Sequence, residues 1–271
     1  MHLSTGQPRL PNQVPPTLSV VEEWLDYLYV AAEGATLREE DRRKAQEVTA
    51  LLAEIARALD RMSQNRPLLV VDAAAGKAFV GVLAAALVIE PLGRTAKVIA
   101  LERDPVRTQA ALTAAQRLVL HTRFEVRAAR VEDPTAWPER PDVVVGLHAC
   151  GPASDAIIEQ AAAHQARLIL LVPCCTGANV SAVGLARTAA EAIGIPRHAG
   201  VRTRFVQSIV DAWRTLWLES LGYETEVVEF VPPTVTPHNL LWRSRRVGEE
   251  RRMASAREAL ARLATLGQQH P

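Results

Sequence analysis

The chain has 271 residues, 48% hydrophobic and 23% charged, which is enough to bury a substantial core and is the balance of a soluble globular protein rather than a disordered or fibrous one. Its 31 basic and 30 acidic side chains nearly cancel, excluding the charge excess of a general nucleic-acid coat protein. The apolar run 78–89 is too short to span a bilayer, and residues 1–16 are polar and proline-rich with no apolar signal core, so the expectation is a cytoplasmic protein without a membrane partner.

After the proline-rich arm, taken as 1–17, Val21, Trp24, Leu25 and Leu28 recur at helical spacing until Gly34. Thr36 and Glu39 have the spacing of a capping box for a second helix, whose apolar face runs Val48, Leu51, Leu52, Ile55, Leu59, Met62 before Arg66-Pro67 ends it. These two helices make up a segment 18–65. Short apolar runs then read as buried strands at 68–72, 97–102, 124–128, 142–147 and 168–173, with helical segments after most of them. Strands apolar on both faces and alternating with helices predict a parallel sheet covered on both sides. A helix over about 205–221 carries Ile209, Val210, Trp213, Leu216 and Trp217 on one face and ends at Gly222. Two last strands, 224–231 and 239–245, are joined through Pro232-Pro233 by a connection too short for a parallel crossover, so they must be antiparallel. The fold class is therefore α/β, a doubly wound, mostly parallel seven-stranded sheet over 66–246. The closing segment 247–271 holds Met253, Ala256, Leu260 and Leu263 in a narrow helical stripe, suited to pack on the domain or on a second subunit; the oligomeric state stays open.

The chemistry gathers where strands end. The first strand runs Val70-Val71-Asp72 into Ala73-Ala74-Ala75-Gly76-Lys77-Ala78 and a helix, and a tight turn there offers backbone N–H groups and a helix N-terminus to a ligand. The spacing is neither a P-loop nor GxGxxG, which disfavours a nicotinamide dehydrogenase; a plain structural turn is the alternative. The second strand ends in Glu102, 26 residues beyond Gly76, and a carboxylate at that position accepts both hydroxyls of a cofactor ribose, unless it is simply solvated. The third leads to Glu132-Asp133, where a carboxylate meets an adenine amino group.

The chain's three cysteines, an odd number, are not a disulfide framework. They stand in Gly146-Leu147-His148-Ala149-Cys150-Gly151 and Val172-Pro173-Cys174-Cys175-Thr176-Gly177, at the ends of the fourth and fifth strands. A strand order that makes these two strands neighbours would bring His148 and all three cysteines to one sheet edge. A metal set, a catalytic thiolate and small apolar packing all remain open for the cysteines, although adjacent Cys174 and Cys175 lack the spacer of structural zinc sites. His148 suits a general base or a hydrogen-bonding wall.

With these segments in place, the chain resembles a family of Rossmann-type, class I methyltransferase domains marked by DxGxGKG, LHxCGxxSD and PCC, as in the methyltransferase region of the glutathione-S-transferase C-terminal-domain-containing protein; the eukaryotic tRNA ribose methyltransferases carry similar LCG and CC segments. The counterparts are 72–78, 147–155 and 173–175, and the resemblance covers roughly 36–246. It implies S-adenosylmethionine as cofactor. Asp72, Ala73, Ala74, Ala75, Gly76 and Lys77 would lie along its methionine end, Glu102 and Arg103 at the ribose, Glu132 or Asp133 near adenine, and His148 beside it. His148, Asp155 and Asn239 are the candidates near the methyl acceptor, while Asp155 equally suits a helix cap and Asn239 a strand backbone. One departure is alanine for glycine at 74 and 78: an alanine held at positive φ is strained, and its Cβ crowds a ligand.

The fourth strand lacks the (D/N)PP(Y/F) of amino-directed nucleobase methyltransferases. The long connection 179–204, with Arg187, Arg197, His198, Arg202 and Arg204, and the later Arg243, Arg245, Arg246, Arg251 and Arg252 form either a basic rim for an RNA backbone or a solvated face balanced by Glu191, Glu249 and Glu250. The expected partner is a macromolecular acceptor, RNA or protein. A chain that keeps the fold as a binding or assembly protein, and a thiol or metal protein, are the competing readings.

Overall fold

The computed structural model describes residues 7–266 except 9, 12, 32, 33, 175 and 199. Seven strands form one sheet: β1 (Leu68–Ala73), β2 (Ala96–Glu102), β3 (Phe124–Ala128), β4 (Val143–Ala149), β5 (Leu168–Pro173), β6 (Tyr223–Glu229) and β7 (Leu240–Arg246). Their order is β3-β2-β1-β4-β5-β7-β6, the class I methyltransferase order. The first five are parallel, and β7 runs antiparallel to both β5 and β6. Central β1 and β4 are almost wholly buried because helices cover both faces. The edge strand β6 is instead lined with charge, and Glu224 and Glu226 pair across to Arg245 and Arg243 of β7, which discourages pairing with another chain.

The helices are α1 (Leu18–Leu25), α2 (Glu39–Arg61), α3 (Phe79–Ala84), α4 (Pro105–Arg117), α5 (Ala153–Ala163), α6 (Val183–Ala192), α7 (Gly200–Ser220) and α8 (Glu250–Ala264). Helices α1 and α3 each run on into a π-helical turn, at Asp26–Val30 and Ala85–Ile89. The predicted stripe of α2 is the one that packs: Val48, Leu51, Leu52, Ile55 and Leu59 are fully buried in one cluster with Trp24, Leu87 and Val98. Each such side chain contributes on the order of 1.5–3 kcal/mol.

Three local expectations are corrected. Helix α2 starts at Glu39 with Arg38 as its cap, and Asp41, not Glu39, closes the box by accepting the Arg38 backbone N–H at 2.9 Å. The 179–204 connection contains a helix, α6, and α7 begins at Gly200, five residues before the predicted start. The buried line of α7 is Val206, Val210, Arg214, Leu218, centred on an arginine that a hydropathy pattern assigns to solvent. Of the two surfaces left open for its stripe, α8 packs on this chain's own: Ala256 is buried, and Arg252 faces Glu219 of α7 and Glu224 of β6. Among the described residues no helix is long and apolar enough to cross a membrane.

Candidate active site

The parallel strands all end along one edge, and the predicted site residues lie there. At the β1 end, Ala74, Gly76 and Ala78 all have left-handed backbone, with φ of 56°, 59° and 57°. Both alanines that replace glycine are therefore at positive φ, where an L side chain costs roughly 1–2 kcal/mol. The loop keeps this shape because its surroundings fix it. Ala75 N–H donates to the Leu101 carbonyl of β2 at 3.0 Å, and Ala78 N–H to the Ala75 carbonyl at 2.8 Å. Ala78 is buried, while the space a side chain on Gly76 would fill is open, with no atom within 4 Å.

Glu102, at the end of β2, lies over that turn. Its Oε2 accepts the Gly76 N–H at 2.8 Å and its Oε1 the Asp104 N–H at 2.9 Å. Only 7% exposed, the carboxylate is not a solvated one, and each oxygen keeps a lone pair for a further donor. Asp72 is buried at the end of β1. Its Oδ2 accepts the Gly81 N–H of α3 at 2.8 Å, and a Cβ on Gly81 would stand 2.9 Å from that oxygen. Glycine at 81 is thus what lets the helix approach the strand end. Burial and the negative Glu102 push the Asp72 carboxyl up to about 7, against the Gly81 hydrogen bond. Ala73 is buried in the sheet, and Ala75 and Lys77 are half-buried in the turn. Arg103 is exposed beyond Glu102.

Beyond β3, Glu132 is exposed and pairs with Arg130. The Asp133 carboxylate caps the short turn Pro134–Ala136, accepting the Thr135 N–H and hydroxyl at 2.9 and 2.7 Å, and these bonds hold it below the usual carboxylate range.

At the β4 end a different kind of site is assembled. His148 has φ 53° and sits at an irregularity in the β4–β5 register. Its Nε2 is 2.5 Å from Oε1 of Glu47, a buried carboxylate delivered by α2 from 101 residues earlier, and Lys44 Nζ lies 3.4 Å from the other Glu47 oxygen. A carboxylate only accepts, which fixes the imidazole proton on Nε2 and leaves the lone pair on Nδ1; Nδ1 is buried with no hydrogen-bond partner among the described residues. His238, in the β6–β7 connection, lies close enough that burial and the neighbouring His148 hold its imidazole below the ordinary histidine value, against Glu47. Sequence reading missed Glu47 and His238. Glu47 sits one position before Val48 of the apolar stripe, and a charged residue bordering a helix's buried face was the available clue.

The other two acceptor-side candidates hold structure. Asp155 is buried and accepts Arg214 Nε at 2.9 Å and the Ser181 N–H at 2.7 Å, so it ties α5 to α7 and to the segment after β5. Asn239 is buried and donates its amide to the Val231 carbonyl at 3.1 Å, bracing the β6–β7 connection.

Cys150 is exposed and Cys174 buried, with their sulfurs 2.8 Å apart, and the Cys174 thiol donates to the His148 carbonyl at 3.6 Å. Cys175 lies outside the described residues. Among the described residues no three His, Cys, Asp or Glu side chains are grouped to hold a metal. Of the arginines in the proposed basic rim, Arg197 and Arg202 pair with Glu191, Arg243 with Glu54 and Glu226, Arg245 with Glu224, and Arg252 with Glu249. A cavity of about 390 Å³ opens between α1, the start of α2 and the β1 turn, lined by Tyr29, Thr36, Lys44, Lys77 and Phe79 among others.

No curated protein matches the sequence. Among solved structures, the chain is similar to an SAH-bound methyltransferase of Podospora anserina (12% identity over 86% of this chain and 89% of that one, TM-score 0.48). It is also similar to the SAH-bound magnesium protoporphyrin IX methyltransferase of Synechocystis (13%, 85% and 99%, TM-score 0.47) and to a precorrin-6y C5,15-methyltransferase of Geobacter metallireducens (17%, 72% and 87%, TM-score 0.41). A family model described as a methyltransferase domain matches residues 43–181, just over half of the 271 residues and spanning Glu47, the β1 turn, Glu102, His148 and Cys150. The chain belongs to this methyltransferase-domain family.

Proposed function

We propose that the protein transfers the methyl group of S-adenosylmethionine to a macromolecular acceptor, RNA or protein, and that it falls among the domains sharing the LHxCGxxSD and PCC segments. One observation carries the cofactor assignment: the buried Glu102 carboxylate grips the Gly76 N–H of a left-handed turn that is open above Gly76. These residues fit the group. The Glu102 oxygens retain lone pairs for two ribose hydroxyls, the turn at 74–78 would hold the methionine portion, and the polypeptide around Glu132 and Asp133 would border the adenine.

When bound, the cofactor supplies an electrophilic methyl on a sulfonium sulfur. The chain's task is to align the acceptor for in-line attack and to remove a proton where the acceptor carries one. His148 is the residue we assign to that proton, and Glu47 on Nε2 counters the charge the imidazole then carries, the same division of labour as in a carboxylate-oriented catalytic histidine. Asp155 and Asn239 act through the scaffold, holding α5, α7 and the β6–β7 connection around the acceptor side.

The left-handed alanines at 74 and 78 favour a second reading, a chain that keeps the fold as a binding or assembly protein. Yet the turn holds its left-handed shape with both alanines in place, which supports the first reading. Incubation with methyl-tritiated S-adenosylmethionine and separated RNA and protein extracts distinguishes the two. Wild type labels one fraction, Glu102→Ala labels neither for want of cofactor, and His148→Ala binds SAH normally but transfers at least tenfold more slowly. Cofactor binding without transfer to either fraction supports the second reading.

A further inference from the structure

The end of β4 and the end of β5 each present one cysteine to the other. Ala149 and Pro173 are register partners on adjacent parallel strands, so Cys150 and Cys174 follow directly from a matched pair. Adjacent strands lie about 4.8 Å apart, within the Cα separation a disulfide accepts. The sulfurs stand 2.8 Å apart, inside ordinary sulfur–sulfur contact and about 0.8 Å from bond length. One partner is exposed and the other buried, which is the arrangement of an attacking thiol that meets solvent and a resolving thiol kept behind it.

We propose that Cys150 and Cys174 are an oxidisable dithiol, a modification site for hydroperoxides that closes into a reversible disulfide. The Cys150 thiol reacts at one oxygen of hydrogen peroxide: the O–O bond breaks, an S–O bond forms, and one water leaves, giving the sulfenic acid. The Cys174 sulfur then attacks the Cys150 sulfur. The S–S bond forms, the S–O bond breaks, and the hydroxyl leaves as a second water with the Cys174 proton. Each sulfur loses one electron and the two peroxide oxygens gain one each. A dithiol such as dithiothreitol reverses the change.

Closure reaches the site by a short path. The Cys174 S–H donates to the carbonyl of His148, a residue already in left-handed backbone beside the Glu47 contact. Oxidation removes that donor and fastens the turn after His148 to β5. This effect on catalysis rests on the function proposed above; formation of the bond does not.

The full-length protein, treated with a small excess of hydrogen peroxide and then alkylated under denaturing conditions, tests the proposal. Free thiols fall from the three in the sequence to one, and mass spectrometry after trypsin finds peptide 131–167, which holds Cys150, joined to 168–187, which holds Cys174 and Cys175. Cys175→Ser still forms the link, Cys150→Ser and Cys174→Ser do not, and dithiothreitol restores three thiols. Thermal melts confirm that each variant is folded. Three thiols surviving, a Cys150 that proceeds to sulfinic acid with no link, or a link lost in Cys175→Ser overturns the pair. SAH titration of the reduced and oxidised protein separates the two ideas: a link with no SAH binding in either form leaves the dithiol standing and removes the cofactor.

Discussion

The two ends of the crevice are built by opposite means. At the β1–β2 end the working surface is backbone, a turn of small residues in left-handed conformation held by main-chain hydrogen bonds and one buried carboxylate. At the β4–β5 end it is side chains from distant parts of the chain: Glu47 from α2, His148 from β4, His238 from the β6–β7 connection, while Asp155 and Arg214 tie α5 to α7. The first kind of site is encoded locally and tolerates substitution at the cost of strain. The second depends on partners brought together by the whole fold, and fails when one of them is removed.

The contrast is broken most forcefully at the tie between α5 and α7. Asp155→Ala leaves the guanidinium of Arg214, 2% exposed, without its carboxylate, and chemical denaturation should show a loss of about 3–5 kcal/mol. A loss under 1 kcal/mol means that the pair does not hold the acceptor side together. Next comes Asp72, whose folded carboxyl is raised to about 7 from 3.8. The folded chain binds its proton more tightly than the unfolded one, so this stability is fully present below pH 4 and is lost as pH rises through 7, with a slope approaching roughly 1.4 kcal/mol per pH unit. Asp72→Asn keeps an acceptor for the Gly81 N–H and removes the charge. Its denaturation midpoint should vary less with pH from 4 to 7 than that of wild type, and it should be the more stable protein at pH 8.

Glu47→Gln should have a smaller effect, about 1–3 kcal/mol, since it weakens a charge-assisted hydrogen bond to His148 without emptying the space. Nitrogen NMR of the His148 ring gives the sharper result: the neutral ring loses its preference for the proton on Nε2, whereas an unchanged tautomer separates Glu47 from any role in orienting the base. Smallest is the effect of relieving the turn. Ala74→Gly with Ala78→Gly removes two strained Cβ atoms but adds chain entropy to the unfolded state, so the net gain is about 1 kcal/mol in thermal or urea unfolding. Destabilisation by the pair would show that the methyl groups pack better than they strain.

The same contrast decides what the sequence disclosed. Strands β1 to β5 lie within two residues of their expected ends, because apolar runs bounded by turns are local. The antiparallel final pair followed from the length of its connection. Glu102 was legible because strand-end position and residue type coincide, and the alanines at 74 and 78 were recognisable as misfits before their φ values were known. Arg214 and Glu47 were not: each is a charge on a helix whose burial is decided by a partner 59 or 101 residues away, and no periodicity carries that information. The roles of Asp155 and Asn239 were ambiguous for the same reason, because a carboxylate or amide near a strand end looks alike whether it faces a substrate or a backbone.

The most direct test of the cofactor end is calorimetric titration of wild type and Glu102→Ala with S-adenosylhomocysteine. Wild type should bind with micromolar affinity, about −8 kcal/mol, and Glu102→Ala should bind at least 100-fold more weakly, as loss of two charged hydrogen bonds to the ribose requires. Equal affinity in the two proteins, or no binding to wild type, would contradict the placement of the cofactor over the β1–β2 turn.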